Sequence, residues 1–216
     1  RSILSFRQKD KAPMNRRSFI ATSAAAAATI ATPSSIAQSI TAALSSGAQS
    51  LDLTHHRFGV NYTPSHNWWF CWNDWNPDPI HRDIDAIAAL GADHMRILLI
   101  WPFFQPNPKW VSPAHLERLD QLITLMAERH LDALVTVFTG QLSGWYFLPP
   151  FNRLSNGFFT DPVMLDAQAL LIRELSRTLA PHPNVIGYDM GNEINTCWNA
   201  DPPTGDAWMD RTFALM

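Results

Sequence analysis

From Arg57 onward the chain alternates short apolar runs with longer stretches of helical periodicity, and that alternation restricts the fold more than any other feature. The runs "FGVNY" (Phe58 to Tyr62), "HMRILLI" (His94 to Ile100), "DALVTVF" (Asp132 to Phe138) and "NVIGYDM" (Asn184 to Met190) predict strands, being short, apolar and rich in β-branched or aromatic residues. Their starts lie 36, 38 and 52 residues apart, room for a crossover helix each time. The first intervening segment, "DPIHRDIDAIAALG", offers Asp78 as N-cap, Pro79 at the first helical position, Ile80, Ile84, Ile87 and Leu90 on one face, and Gly91 as the stop. Ser112 and Pro113 repeat the entrance before a stripe of Leu116, Leu119, Ile123 and Met126, and Asp161 with Pro162 uses it a third time. Three such helices between four buried strands describe successive β/α units of a parallel sheet.

Two architectures are built this way. A doubly wound nucleotide-binding sheet would follow its first strand with a glycine-rich phosphate cradle. Here the first strand runs into "TPSHNWWFCWNDWNPD", which has no cradle and carries Trp68, Trp69, Trp72 and Trp75. The expected fold is therefore a (β/α)8 barrel, of which residues 57–216 supply only strands 1–4. In that reading Ile97, Leu99, Val135 and Val137 line the inner faces of the strands.

Functional residues gather where barrel strands end. Asn61 and the tryptophans follow the first strand, Trp101 and Phe103 the second, and Thr139, Gln141, Trp145 and Tyr146 the third. Asn192, Glu193, Asn195 and Trp198 follow the fourth. Aromatic faces mixed with amides and a carboxylate suit a carbohydrate, whose C–H faces stack on rings while its hydroxyls need directed hydrogen bonds. Individually these tryptophans could equally pack loops onto the barrel rim.

With "GVNY" on strand one, "LGADHMRILLIW" on strand two and "GYDMGNEIN" on strand four, the region from Phe58 to Trp198 resembles the first half of a clan A glycoside hydrolase, most nearly the family 5 cellulase and mannanase group. The resemblance implies retaining hydrolysis of β-linked glycans such as mannan or glucan. Glu193 would be acid/base, Asn192 would hold the sugar 2-hydroxyl, and Arg96 would support the nucleophile. Asn61, Trp68, Trp69, Trp101, Trp145 and Trp198 are the further candidates for substrate contact. An ion pair with Asp189 is the alternative for Arg96. The chemistry needs one carboxylic acid to protonate the leaving oxygen and a second carboxylate to attack the anomeric carbon. Glu193 would have to be partly desolvated to stay protonated.

Two departures limit the resemblance. Many family 5 cellulases carry a histidine where the third strand opens; here "VTVFTGQLSGW" offers Phe138, Thr139 and Gln141. The family's nucleophile, a glutamate ending the seventh strand, has no counterpart, and "AWMDRTFALM" reads as a helical pattern without a cap. A complete barrel takes roughly 250 residues, whereas Leu51 to Met216 supplies 166. The expectation is a piece of a longer product, inactive by itself, with the nucleophile beyond residue 216. An exported carbohydrate-binding protein or pseudoenzyme is the competing class.

The first 56 residues are of another kind. "MNRRSFIATSAAAAATIATPSSIAQS" sets Arg16 and Arg17 ahead of a weakly apolar alanine-rich segment, resembling a twin-arginine export signal over 14–37. Residues 1–13 read as non-native upstream sequence and 38–56 as a linker. Periplasmic or extracellular placement follows, with the export machinery as a partner and no membrane association after cleavage. Six of the 16 basic residues fall within the first 17 positions, leaving ten against 18 acidic residues, so nucleic acid is not an expected partner. No metal-ligand spacing and no nucleotide, haem or iron–sulfur motif is visible, so no metal or cofactor is expected. Cys71 and Cys197 are expected as free thiols, since passage as a folded protein from a reducing cytoplasm disfavours dependence on a disulfide.

Overall fold

A computed structural model describes residues 56–152 and 157–216; the upstream segment 1–13, the leader 14–37 and all but the last residue of the 38–56 linker lie outside them. Four parallel strands form the sheet: β1 (Gly59–Tyr62), β2 (His94–Leu98), β3 (Asp132–Thr139) and, after a two-stranded antiparallel hairpin of β4 (Gln141–Leu142) and β5 (Trp145–Tyr146), β6 (Val185–Asn192). The spatial order is β1-β2-β3-β6, the order in which the strands occur along the chain. A doubly wound sheet reverses direction at a switch point; this one steps in one direction, as a barrel does.

Each crossover is a helix with a proline entrance. Helix α1 (Pro77–Ala89) begins two residues earlier than expected: Asn76 is the cap, its side chain accepting from the Asp78 N–H at 3.1 Å, and Pro77 stands at the first position. It ends before Gly91, whose φ of 79° is the left-handed turn that glycine adopts freely. Ile80 and Ile84 are buried on its inner face. After the short α2 (Trp101–Phe104), helix α3 (Pro113–Ala127) buries Leu119, Leu122, Ile123 and Met126. The Ser112 hydroxyl does not cap it and is turned instead to His115 Nδ1 at 2.7 Å. The turn α4 (Gly157–Thr160) leads into α5 (Pro162–Leu179), capped as expected by Asp161, which accepts from Val163 and Met164. The short α6 (Ile194–Cys197) follows β6, and α7 (Pro202–Phe213) is capped by Asp201 through the Thr204 N–H at 2.8 Å. The last helical pattern thus does have a cap, Asp201, upstream of "AWMDRTFALM".

The core lies between sheet and helices. Ile97, Leu99, Val135 and Val137, expected on the inner face, are fully buried in this core instead. Arg96 and Leu134, half-buried and partnered in register across β2 and β3, stand on the other face with Thr136 and Asp189. Strand alternation makes the two choices mutually exclusive. The apolar residues take the helix side because α1, α3 and α5 supply apolar stripes there. At the base of the sheet Arg57 ties β1 to its neighbours, donating to Asp93 Oδ1 at 3.1 Å and Asp132 Oδ2 at 2.5 Å.

Above the sheet, an aromatic cluster seats the loops after β2, β3 and β6 on one another. Trp101 meets Phe138 at 4.9 Å between centroids, and Phe158 stacks on Trp198 at 4.3 Å with Trp208 at 5.2 Å. The buried indole N–H groups of this cluster are satisfied, Trp101 on Gln105 Oε1 at 2.8 Å, Trp208 on Gln168 Oε1 at 2.8 Å and Trp198 on Asn152 Oδ1 at 3.2 Å. Burial with matched donors lets such large rings stabilise without the cost of an orphaned polar group.

Candidate active site

The C-terminal end of the sheet gathers one polar network. Arg96 on β2 donates through Nε to Asp189 Oδ2 at 2.8 Å and through Nη2 to the same oxygen, while Thr136 Oγ1 on β3 donates there at 2.9 Å. The remaining guanidinium nitrogen, Nη1, donates to Asn192 Oδ1 at 3.1 Å and to Asn61 Oδ1 at 3.3 Å. Asn192 Nδ2 in turn donates to the Gln141 carbonyl at 2.6 Å. Three of the candidate residues, Asn61, Arg96 and Asn192, therefore meet in one constellation. Asp189, named from the sequence only as a possible partner of Arg96, proves to be its anchor.

Glu193 follows directly. It is exposed in this chain, without the desolvation expected of it, and its backbone lies in the left-handed region at φ 50°, ψ 35°. For a residue with a Cβ that conformation costs roughly 1–2 kcal/mol, and such strain concentrates at functional sites. The turn is held by Thr196, whose N–H and hydroxyl both reach the Glu193 carbonyl, at 3.1 and 2.7 Å. Cys197 sits beside it, its thiol pushed up by burial, with the Glu193 charge adding to the rise and the Thr196 hydrogen bond opposing it.

The aromatic candidates divide. Trp68 and Trp145 are each 53% exposed, and Trp68 is also held at a positive φ of 49°, an outlier for a bulky side chain. Trp69 is buried beside Trp68, 5.3 Å away between ring centroids, and edge-on to Phe147 at 6.0 Å. Trp101 (0% exposed) and Trp198 (1%) are cluster residues with no free face, so for these two, and for Trp69, packing replaces the expected sugar contact. The hairpin that presents Trp145 and the exposed Tyr146 turns through Ser143 and Gly144, at φ 50° and 83°. A two-residue loop with both φ values positive is the turn that matches strand twist. Its local signal is the Ser-Gly dipeptide between Leu142 and Trp145 in "QLSGWY".

The loop after β1 is fastened to α3. His115 bridges it, through Nδ1 to Ser112 Oγ and through Nε2 to Asn73 Oδ1 at 2.9 Å, and Arg118 donates to the Trp72 carbonyl. Burial, and after it the Arg118 charge, lower the imidazole to about 4, so it is neutral near pH 7 and bridges as one donor and one acceptor. Among the described residues no group of three or more His, Cys, Asp or Glu is placed to hold a metal ion, and no helix is long and apolar enough to cross a membrane. Cys71, buried, and Cys197 are both free.

Solved structures place this architecture. A GH5_18 variant from Streptomyces cattleya in complex with Manβ1-4GlcNAc is similar at 37% identity and a TM-score of 0.72, over 74% of this chain and 41% of that one. A GH5_18 structure from Bifidobacterium longum subsp. infantis matches at 33% identity and a TM-score of 0.71, over 74% of this chain and 40% of that one. An exo-β-1,4-mannosidase from Opitutaceae bacterium strain TAV5 matches at 32% and 0.69, over 74% of this chain and 29% of that one. These neighbours are glycoside hydrolases. The four-stranded arc is a partial (β/α)8 barrel. The chain spans about 41% of the length of the first of these relatives. No family model and no curated protein sequence matches it.

Proposed function

We propose that the protein is a family 5 retaining glycoside hydrolase acting on β-linked mannosides, with short oligosaccharides of the Manβ1-4GlcNAc type as the substrate class. The observation that carries this reading is the strained, exposed Glu193 placed directly after an Asn192 whose amide is held by Arg96 and the Gln141 carbonyl. Glu193 is the acid/base: it protonates the leaving oxygen and later activates water. Asn192 contacts the 2-hydroxyl, and Arg96 orders the amides around the anomeric centre. Trp68 and Trp145 offer the exposed ring faces for the sugar. The substrate bound by the Streptomyces cattleya relative and the name of the Opitutaceae enzyme favour mannosides over glucans.

The nucleophile is assigned beyond residue 216, within the length of the relatives that this chain does not span, so the reaction belongs to the longer protein and these residues alone do not complete it. The Arg16-Arg17 leader would direct that protein out of the cytoplasm as a folded enzyme. In the full-length protein Glu193→Gln should lower kcat/KM, which reports the glycosylation step, severely on natural β-mannosides and much less on aryl mannosides, whose leaving group needs little protonation. Equal losses of kcat/KM on both substrates would remove Glu193 from the acid/base role. No turnover by the unmodified protein would favour the carbohydrate-binding alternative.

A further inference from the structure

The residue that receives the most donors in this network is not one of those assigned to the sugar. Asp189 Oδ2 accepts from Arg96 Nε, Arg96 Nη2 and Thr136 Oγ1, and Oδ1 accepts from the Gly191 N–H at 3.3 Å. Two of the three guanidinium nitrogens are thereby committed to one carboxylate on β6. Only Nη1 is left to face the amides, and it reaches Asn192 and Asn61 together. Asn192 is then gripped from both sides, its Oδ1 by Arg96 and its Nδ2 by the Gln141 carbonyl at the foot of the hairpin that presents Trp145.

We infer that Asp189 is the positioning residue of this site: it fixes the rotation of Arg96, and through Arg96 Nη1 it fixes which atom of the Asn192 amide faces inward. The inference rests on the reading of Asn192 and Glu193 above and adds a residue to it. The chemistry requires the relay because an asparagine amide has an acceptor end and a donor end of nearly equal shape. A sugar hydroxyl meets one or the other according to which way the group is turned. Arg96 has no acceptor, so a fixed Nη1 forces the carbonyl end toward itself and leaves the second Nδ2 hydrogen for the ligand. Charge compensation acts in the same direction. Paired with Asp189, the guanidinium works as a directional donor, and its net charge is largely cancelled within the site.

The test is a double-mutant cycle in the full-length protein on an aryl β-mannoside, with thermal midpoints recorded alongside. Asp189→Asn should lower kcat by about 10- to 100-fold, the order expected when a reacting geometry is loosened, with KM changed less than about twofold. Thr136→Val, which removes one donor from Oδ2, should lower kcat several-fold in the same pattern. The deciding arm is Asp189→Asn combined with Asn192→Ala: if Asp189 acts through Asn192, the second substitution adds little once the first is made. Losses that multiply, or a KM effect as large as the kcat effect, would make Asp189 merely structural and overturn the inference while leaving the acid/base reading intact. Unmodified protein without β-mannoside turnover would overturn both.

Discussion

Gly191 offers a test of how tightly the end of β6 is set. It pairs with Phe138 across the β3–β6 ladder and immediately precedes Asn192. A Cβ placed there would lie 2.6 Å from the Phe138 carbonyl oxygen and 2.5 Å from Ile194 Cγ2, where real Cβ contacts essentially never fall below 3.0 Å. Ile194 could rotate away; the carbonyl belongs to the neighbouring strand and can retreat only by parting the two strands. Overpacking of this kind costs about 1–3 kcal/mol, and at about 2–4 °C per kcal/mol for a domain of 150–250 residues Gly191→Ala should lower the thermal midpoint of the full-length protein by roughly 2–12 °C. The displacement falls on the residue before Asn192, so turnover should drop by up to about 10²-fold. Gly205→Ala is the control. It lies within α7 with nothing within 4 Å of the added carbon, and should raise stability by about 0.5–1 kcal/mol because glycine is a poor helix former. Scanning calorimetry and initial rates on the two variants decide the matter. Gly191→Ala with unchanged midpoint and rate, or a Gly205→Ala loss matching it, would refute the close approach of β3 and β6.

His115, lowered to about 4 by burial and then by Arg118, binds its proton near 6.5 when unfolded. Between pH 6.5 and 4 the unfolded state therefore holds more protons, and stability falls as the pH falls through that window. His115→Gln should flatten the slope of midpoint against pH there, and an unchanged slope would count against the neutral bridge. The two free thiols should label in order: the half-buried Cys197 in the native protein, and Cys71, whose buried thiol is pushed up to about 12, only on unfolding. Simultaneous labelling, or no free thiol in the unreduced unfolded protein, would contradict this. Residues 57–216 expressed alone should self-associate, because among the described residues β1 and β6 each pair on one side only and open edges recruit further strands. A monomer with a sharp thermal transition would show the arc to be self-sufficient.

The strands, their parallel sense and the helices between them were legible because each signal is local: β-branched runs, proline entrances, apolar stripes. Which strand face meets the helices was not. Alternation in "HMRILLI" and "DALVTVF" separates an all-apolar set, Met95, Ile97 and Leu99 or Ala133, Val135 and Val137, from one interrupted by His94 and Arg96 or by Asp132 and Thr136, but it does not say whether the apolar set meets the helices or the barrel interior. Only the stripes on α1 and α3 settle it, and they enter through tertiary contact. The cap of α1 falls two residues before the expected one because "NPDP" contains two cap–proline pairs, Asn76-Pro77 and Asp78-Pro79. At the site, Asn61 and Asn192 could be nominated from the ends of strands, and Arg96 from the resemblance with Asp189 as a possible partner, but the convergence of four donors on Asp189 depends on contacts across up to 93 residues. Of the tryptophans, those whose N–H finds a buried acceptor could not be told from those with a free face, because both patterns read as aromatic residues in polar loops.

The adjacency of Asn192 and Glu193 has a physical explanation in the backbone. Consecutive residues of an extended strand point to opposite faces, so an amide and a carboxylate in sequence would ordinarily serve opposite sides of the sheet. Here β6 ends at Asn192, still in register with Thr139, and Glu193 turns left-handed before α6 begins. The Asn192 amide lies against Arg96 at the strand's end, and the turn releases the carboxylate from the alternation. The cost of that turn is met by the Thr196 bonds to the Glu193 carbonyl and by Trp198, locked in the aromatic cluster below. An apolar strand that only filled a core could have ended at Met190. On the function proposed above, the two further residues and the strained turn set an amide and a carboxylate in succession at the end of β6.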